Sequence, residues 1–398
     1  MIDVSVARAR GAAPLKLVAV LGLMFAIGPI GIDMYLPAMP AIGRELASAD
    51  TAVQLTLTGY GLGMGLGQLL VGPWSDAVGR RRPMLIGLAL FAAASLACAA
   101  APTVPLLALA RLAQGLAISS GSVLAMAVVR DLFTDSAAST LLSRLMLVLS
   151  ASPILAPSLG SLVLGVTVWP GIFVTLGLVG VLLALVVLRT LPETLPPDRR
   201  RPLNAGAVAR SYVHLLRDRR FVGLVVATGL ATTGLLGFVT GSPFVFQHQL
   251  GLDERRFGLL FAASVLWMIA ATQVNARLMR RLHPRQVLLP STAAATGTAL
   301  LALGLALTGL GGAVGLIGAL WLTLFFIGFA LPNLPAVILA DHPDAAGTAS
   351  ALIGASQMVI ASALSPLVGV FGNDGAAMAG VIAAALGAST LILLTAQR

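Results

Sequence analysis

An all-α membrane protein with twelve transmembrane helices in two six-helix halves is the fold class that three observations predict. The 398-residue chain is 58% hydrophobic and only 10% charged, with a mean hydropathy of +0.97; soluble domains carry roughly 25% charged residues. Its apolar runs are long enough to cross about 30 Å of hydrocarbon at 1.5 Å per residue. Its longest polar connection falls at the middle of the chain, with six runs on either side.

The runs lie at about 17–40, 52–73, 83–101, 103–129, 142–165, 168–189, 221–246, 257–277, 286–308, 313–332, 346–370 and 375–395. The ninth and tenth are separated only by Gly309-Leu310-Gly311-Gly312. The first follows Arg8, Arg10 and Lys16 in the manner of a signal peptide. Its apolar stretch exceeds the 7–15 residues of a signal core, so it reads as an uncleaved first helix.

Basic residues set the orientation. With the N-terminus inside, the outside keeps only Arg44, Arg255 and Arg256, Arg111 lies within a span, and the rest of the 25 Lys and Arg face the cytoplasm. Both termini are therefore expected to be cytoplasmic. The net charge of +10 and pI near 11.3 belong to these span-flanking residues, which meet anionic lipid rather than nucleic acid. The single cysteine, Cys98, allows no intrachain disulfide. The four histidines (His214, His248, His283, His342) are scattered in loops without metal-ligand spacing, so no metal is expected.

Three units follow: an N-terminal half at 1–195, a cytoplasmic linker at 196–220 rich in proline and arginine, and a C-terminal half at 221–398. A faint repeat, Gln68–Leu85 against Gln273–Leu288, suggests duplication and hence two pseudo-symmetric halves. In the second run Gly59, Gly63 and Gly67 fall one turn apart, a face that admits another helix closely.

Only two ionisable residues lie well inside the apolar runs: Asp33 in the first and Arg111 in the fourth. A charge at bilayer depth costs about 2.5–3.5 kcal/mol on insertion scales, and such residues mark ion or substrate pathways by default. Each lies roughly 10–12 Å from the outer end of its helix at 1.5 Å per residue. The alternative is a structural Asp33–Arg111 ion pair that fixes packing.

Four strings narrow the reading further. Gly72-Pro73-Trp74-Ser75-Asp76-Ala77-Val78-Gly79-Arg80-Arg81-Arg82 resembles the first cytoplasmic loop motif of the major facilitator superfamily, with Ala77 where that motif usually has a base. There Gly72 allows close helix approach, Gly79 a tight turn, and Arg80 and Arg81 hold the loop inside. Asp76 can face a helix N-terminus, which Gly347-Thr348-Ala349-Ser350 supplies on the same side. Arg111-Leu112-Ala113-Gln114-Gly115 resembles the superfamily's Arg-x-x-Gln-Gly motif. Asp33 through Pro40, Asp-Met-Tyr-Leu-Pro-Ala-Met-Pro, resembles the Bcr/CflA drug-resistance transporters. Ser152 through Gly160, with Pro153, Ala156, Pro157 and Gly160, is similar to the antiporter motif of these proteins, although Ala156 replaces its glycine.

The resemblance implies the major facilitator fold and a multi-pass, monomeric protein of the bacterial inner membrane. Its partners would be the lipid bilayer and a small-molecule drug or metabolite. It implies export of small amphipathic drugs, bicyclomycin-like or phenicol-like, with the proton as coupling ion and no cofactor. Asp33 and Arg111 would carry the coupling inside a cavity walled by Tyr35, Tyr60, Gln54, Gln114, Phe238 and Asn333. Phe244, Gln273, Asn275 and Gln357 are further wall candidates. A proton-coupled importer is the nearest rival. An intramembrane enzyme lacks an intramembrane histidine and any acid besides Asp33, and an ATP-driven pump lacks a phosphate loop.

Overall fold

The computed structural model describes residues 15–133, 135–200, 202–342 and 345–396. Arg8, Arg10, Arg201 and Arg398 of the orientation argument lie outside the described residues. Every regular element among the described residues is helical. The helices are α1 (Leu15–Asp33), α2 (Met39–Glu45), α3 (Asp50–Val78), α4 (Arg81–Ala99), α5 (Val104–Leu132), α6 (Asp135–Leu164) and α7 (Pro170–Thr190). After the linker helix α8 (Ala205–Leu216) come α9 (Arg219–Phe244), α10 (Glu254–Leu278), α11 (Pro284–Thr308) and α12 (Gly312–Asp341). The chain closes with α13 (Ala346–Leu364), α14 (Leu367–Val370) and α15 (Gly375–Ala396).

Eleven helical segments among the described residues are long and apolar enough to cross a membrane. Helix α3, 29 residues long, is not one of them, because glycines and Gln54, Thr56, Thr58 and Gln68 dilute its apolar content. Large apolar side chains face outward all around the bundle, among them Leu70, Leu109, Leu162, Leu259 and Leu391. In water such a surface would be a liability; in lipid it is the matching solvent.

The first apolar run, read as one helix to Pro40, is broken. Helix α1 ends at Asp33, a 3-10 turn spans Leu36–Ala38, and α2 starts at Met39. Pro37 has no N–H to continue an α-helix and its ring crowds the preceding turn, so the chain restarts just beyond Asp33. The weakest boundary in the sequence is sharp in the structure. Gly309, Gly311 and Gly312 all take positive φ (70°, 72° and 52°), a conformation that side-chain-bearing residues avoid.

Helix α3 is packed on two faces, against α5 and against α13. A Cβ on Gly59, Gly63 or Gly67 would strike the backbone of Ala108, Leu112 or Leu116 in α5. On the other face, Gly61 and Gly65 lie against Ser362 and Ala355 of α13. This seam runs from Gln54 beside Gly369 to Gln68 beside Gly354, with Thr58 Oγ1 donating to the Ser362 carbonyl at 2.7 Å. Replacing Gly63 by Leu should destabilise the bundle by about 3 kcal/mol, the upper part of the usual range for overpacking, because the obstacle is backbone. Thermal unfolding in detergent followed by size exclusion measures it; an unchanged midpoint would refute the close packing.

The end of the bundle away from the arginine clusters is tied by polar bonds between segments far apart in the chain. Gln54 Nε2 donates to Asn373 Oδ1 (2.8 Å) and to the Thr240 carbonyl (3.3 Å). Ser161 Oγ of α6 donates to the Glu254 carbonyl (2.9 Å), and Asp50 lies 3.7 Å from His248.

Candidate functional site

Arg111 is fully buried on α5. Its Nη1 donates to the Gly31 carbonyl at 3.0 Å and to Gln114 Oε1 at 2.7 Å. The break after Asp33 explains the first bond. Tyr35 N turns to the Ile32 carbonyl instead, so the Gly31 oxygen faces the guanidinium at the C-terminal, partially negative pole of α1. The guanidinium carbon lies 4.1 Å from the Tyr60 ring centre, 4.8 Å from Tyr35 and 5.7 Å from Phe173, so aromatic faces replace much of its hydration. Its Nε and Nη2 have no hydrogen-bond partner.

Asp33 is 6% exposed, and among the described residues no ion pair joins it to Arg111. The fixed ion pair, the alternative raised by the sequence, is not what the structure holds. Both charges belong instead to one feature, the break of α1: Asp33 is its last helical residue, and Arg111 is held there by carbonyl, amide and aromatic faces. Helix α6 meets the same place. A Cβ on Gly160 would strike the Met34 carbonyl, and Ala156 is fully buried. Pro153 and Pro157 lie inside α6, which runs unbroken from Asp135 to Leu164.

The expected cavity wall needs correction. Tyr35, Tyr60, Gln54, Gln114, Phe238 and Asn333 are each no more than 2% exposed, so in this conformation none of them faces open space. Tyr35 is bonded to Thr56 Oγ1 (2.8 Å) and Tyr60 donates to the Gly28 carbonyl (2.8 Å). Gln114 Nε2 donates to Ser95 Oγ (2.7 Å). Phe238 stacks on Phe261 at 5.7 Å, and Asn333 donates to Asn275 Oδ1 at 2.9 Å. Phe244 and Asn275 are likewise buried, Gln357 is half-buried against Thr232, and Gln273 is exposed. Polar groups inside such a bundle find protein partners, since leaving them unpaired is costly. A groove of about 460 Å³ does exist, between α9, α14 and α15, but Leu230, Phe371, Val381 and Ala384 make it apolar, and Arg111 takes no part in its lining.

At the arginine-rich end, Gly79 has φ +96°, and its missing Cβ leaves room for the Glu193 carboxylate. That carboxylate accepts from Arg80 N (2.8 Å) and Arg81 N (3.2 Å). Arg80 bridges Asp76 (2.5 Å) and Asp131 (2.9 Å). Burial works against its charge, but the hydrogen bonds to Asp131 and Asp76 outweigh that and hold its pKa above the usual value. Arg81 Nη2 donates to the Leu188 carbonyl. Two expectations fail here. Asp76 pairs with Arg80 four residues on, and among the described residues no hydrogen bond joins it to the start of α13. Nothing lies within 4 Å of a Cβ placed on Gly72, so that glycine is not a point of close approach. Asp131 and Glu193 did not stand out in the sequence. The only trace of them was an acid in the last turn of α5 and another just after α7.

The second half repeats the tie. Arg285 bonds Asp341, again joining the start of one helix, α11, to the end of the next, α12. Arg285 stands as far after Gln273 as Arg80 stands after Gln68, so the faint repeat places its one shared arginine in matching positions. Asp131→Ala should cost about 1.5–3 kcal/mol, the range for a hydrogen bond to a charged group. Unfolding measured against the wild type checks this, and no change would show that Asp76 alone suffices for Arg80.

Comparison with known proteins adds the decisive observation: the family model described as Major Facilitator Superfamily matches residues 21–366. The chain belongs to this superfamily. Within it, the chain is 35% identical over 389 residues to an uncharacterized MFS-type transporter, YdgK, of Bacillus subtilis, covering 96% of each. It is 31% identical over 360 residues to the bicyclomycin resistance protein homolog of Haemophilus influenzae, covering 90% of this chain and 89% of that protein. Among solved structures, a variant of the nucleoside transporter NupG superposes with a TM-score of 0.74 at 14% identity, covering 96% of this chain and 98% of that one. The superfamily membership makes this a membrane-spanning transporter of small molecules and not an enzyme, with drug-resistance transporters among its relatives.

Proposed function

We propose that this superfamily member exports small amphipathic drugs of the bicyclomycin or phenicol class in exchange for protons, as a Bcr/CflA-type antiporter. The observation that carries the reading is the buried pair of charges at the break of α1. Among the described residues Asp33 has no cation beside it, and Arg111 has two idle donors. Intramembrane ionisable residues default to transport roles, and the similarity to a bicyclomycin resistance homolog favours a drug as cargo. Helix α3 supplies the twelfth span, both termini lie in the cytoplasm, and the protein resides as a monomer in the bacterial inner membrane. The arginine-rich end is then cytoplasmic, as the positive-inside rule requires.

In this scheme Asp33 takes a proton when its side of the site opens outward and releases it when drug enters from within. A drug that favours the deprotonated form must, by reciprocal linkage, be displaced by a proton. Arg111 steadies the site's charge in both states. The Gly79–Arg81 turn, Asp76 and Asp131 hold the cytoplasmic ends of α3, α4 and α5 together as the halves rock. Pro153, Pro157 and Gly160 keep α6 pressed on the α1 break, which suits exchange over uniport. Inside-out vesicles given a drug and an imposed proton gradient test the direction. Gradient-driven uptake of chloramphenicol or bicyclomycin into them supports export. Uptake of either drug only in right-side-out vesicles would establish an importer.

A further inference from the structure

Although a polar connector by composition, the linker contains a helix with a two-sided apolar surface. On α8, Val208, Tyr212 and Leu215 form one stripe, and Leu215 is 3% exposed in a cluster with Phe221 and Leu224 of α9. The adjoining stripe holds Val213 and Leu216, which are 47% and 49% exposed, and Leu203 just before the helix is 59% exposed. Arg210 and Arg217, both exposed, border this second stripe two turns apart. Arg199 and Arg219 are exposed at the two ends of the segment.

One hydrogen bond fixes where α8 lies. Tyr212 Oη donates to the Leu69 carbonyl of α3 at 3.1 Å. That carbonyl is available because Pro73, four residues on, has no N–H to return to it. The next residue, Leu70, is 62% exposed on the outward, lipid-facing surface of the bundle. Helix α8 therefore lies beside an outward-facing apolar surface of α3.

We propose that α8 is a docking surface for an anionic bilayer. Leu203, Val213 and Leu216 enter the headgroup boundary, and Arg199, Arg210, Arg217 and Arg219 engage lipid phosphates. Helices with an apolar face edged by arginine bind in this plane, and long basic side chains can bury their stems while the heads reach outward. Each basic residue near an anionic leaflet contributes about 1 kcal/mol, or about fivefold in the docked-to-undocked ratio.

The test uses the full chain with Val213→Cys, labelled by an environment-sensitive fluorophore; the only native thiol, Cys98, is fully buried. The protein is reconstituted in phosphatidylcholine vesicles with or without phosphatidylglycerol. A blue shift is expected with phosphatidylglycerol only, weakened by salt. Adding Arg210→Gln and Arg217→Gln should lower the docked-to-undocked ratio about 25-fold, at about fivefold per arginine. A matched control, Arg280→Gln with Arg281→Gln at the exposed turn after α10, should leave the shift intact. Identical emission in the two vesicle types overturns the proposal, as does loss of the shift in the control to the same extent. The readout requires no transport, so an importer or an inactive protein would leave the result interpretable.

Discussion

Asp33→Asn is expected to abolish gradient-driven export while leaving the protein inserted and folded. Asparagine preserves the size and polarity of the side chain but has no proton to exchange, and the site holds no second carboxylate to take over: Asp33 is the only acid in the long apolar runs. The loss should be complete rather than partial for this reason. Because Asp33 carries no ion pair among the described residues, the substitution breaks no salt bridge, and thermal stability should hold or rise, since a costly buried charge is removed. Drug transport into vesicles with and without an imposed ΔpH, alongside a melting curve, measures both. Normal export with normal ΔpH dependence would remove Asp33 from the coupling step. Lost export accompanied by lost folding would show a structural residue.

Arg111→Ala should be equally silent in transport but should also destabilise the protein. The arginine is fully buried and gives hydrogen bonds to Gly31 and Gln114 while three aromatic rings surround it. Its removal leaves the Gly31 carbonyl at the end of α1 without a donor and empties the space between Tyr35 and Tyr60. Unmade bonds of this kind cost about 1–3 kcal/mol each, before the cavity is counted. Arg111→Lys should retain part of the stability, because the ammonium can reach one acceptor, but not the flat stacking between the rings. Transport and melting for the two variants should therefore fall in the order wild type, lysine, alanine. Wild-type transport by Arg111→Ala would reduce this residue to packing.

The sequence revealed most where one residue type has one physical use. The run lengths, the positive φ required at Gly79 and at the Gly309–Gly312 turn, and the close-packed face of Gly59, Gly63 and Gly67 are local demands that residue identity answers. Asp33 and Arg111 stood out because charge is scarce in the runs. Relations between distant segments were hidden. Asp131, from the end of α5, and Glu193, from the segment after α7, meet Arg80 from far along the chain, and no spacing rule marks such partners. The cavity candidates are polar or aromatic residues inside spans, and such residues satisfy themselves against protein partners within the bundle. The break after Asp33 was visible in principle, since Pro37 stands two residues after Tyr35. A continuous apolar run concealed it, because hydropathy is blind to backbone hydrogen bonding. Helix α8 is hidden in the sequence because prolines and arginines dominate the linker's composition while the helical stripe occupies only its second half.

The turn between α11 and α12 dictates how these two helices enter the membrane during biosynthesis. Three residues, Gly309 to Gly311, separate them, and all the turn's glycines sit in the left-handed region. So short a tether cannot leave one helix across the membrane while the other waits in water, where its apolar flank would be exposed. The pair must therefore leave the insertion machinery as a single hairpin, with Arg285 anchoring its entry and Asp341 its return on the same side. A nascent chain arrested just after α11 is therefore expected to stay open to protease, with α11 protected only once α12 has been made.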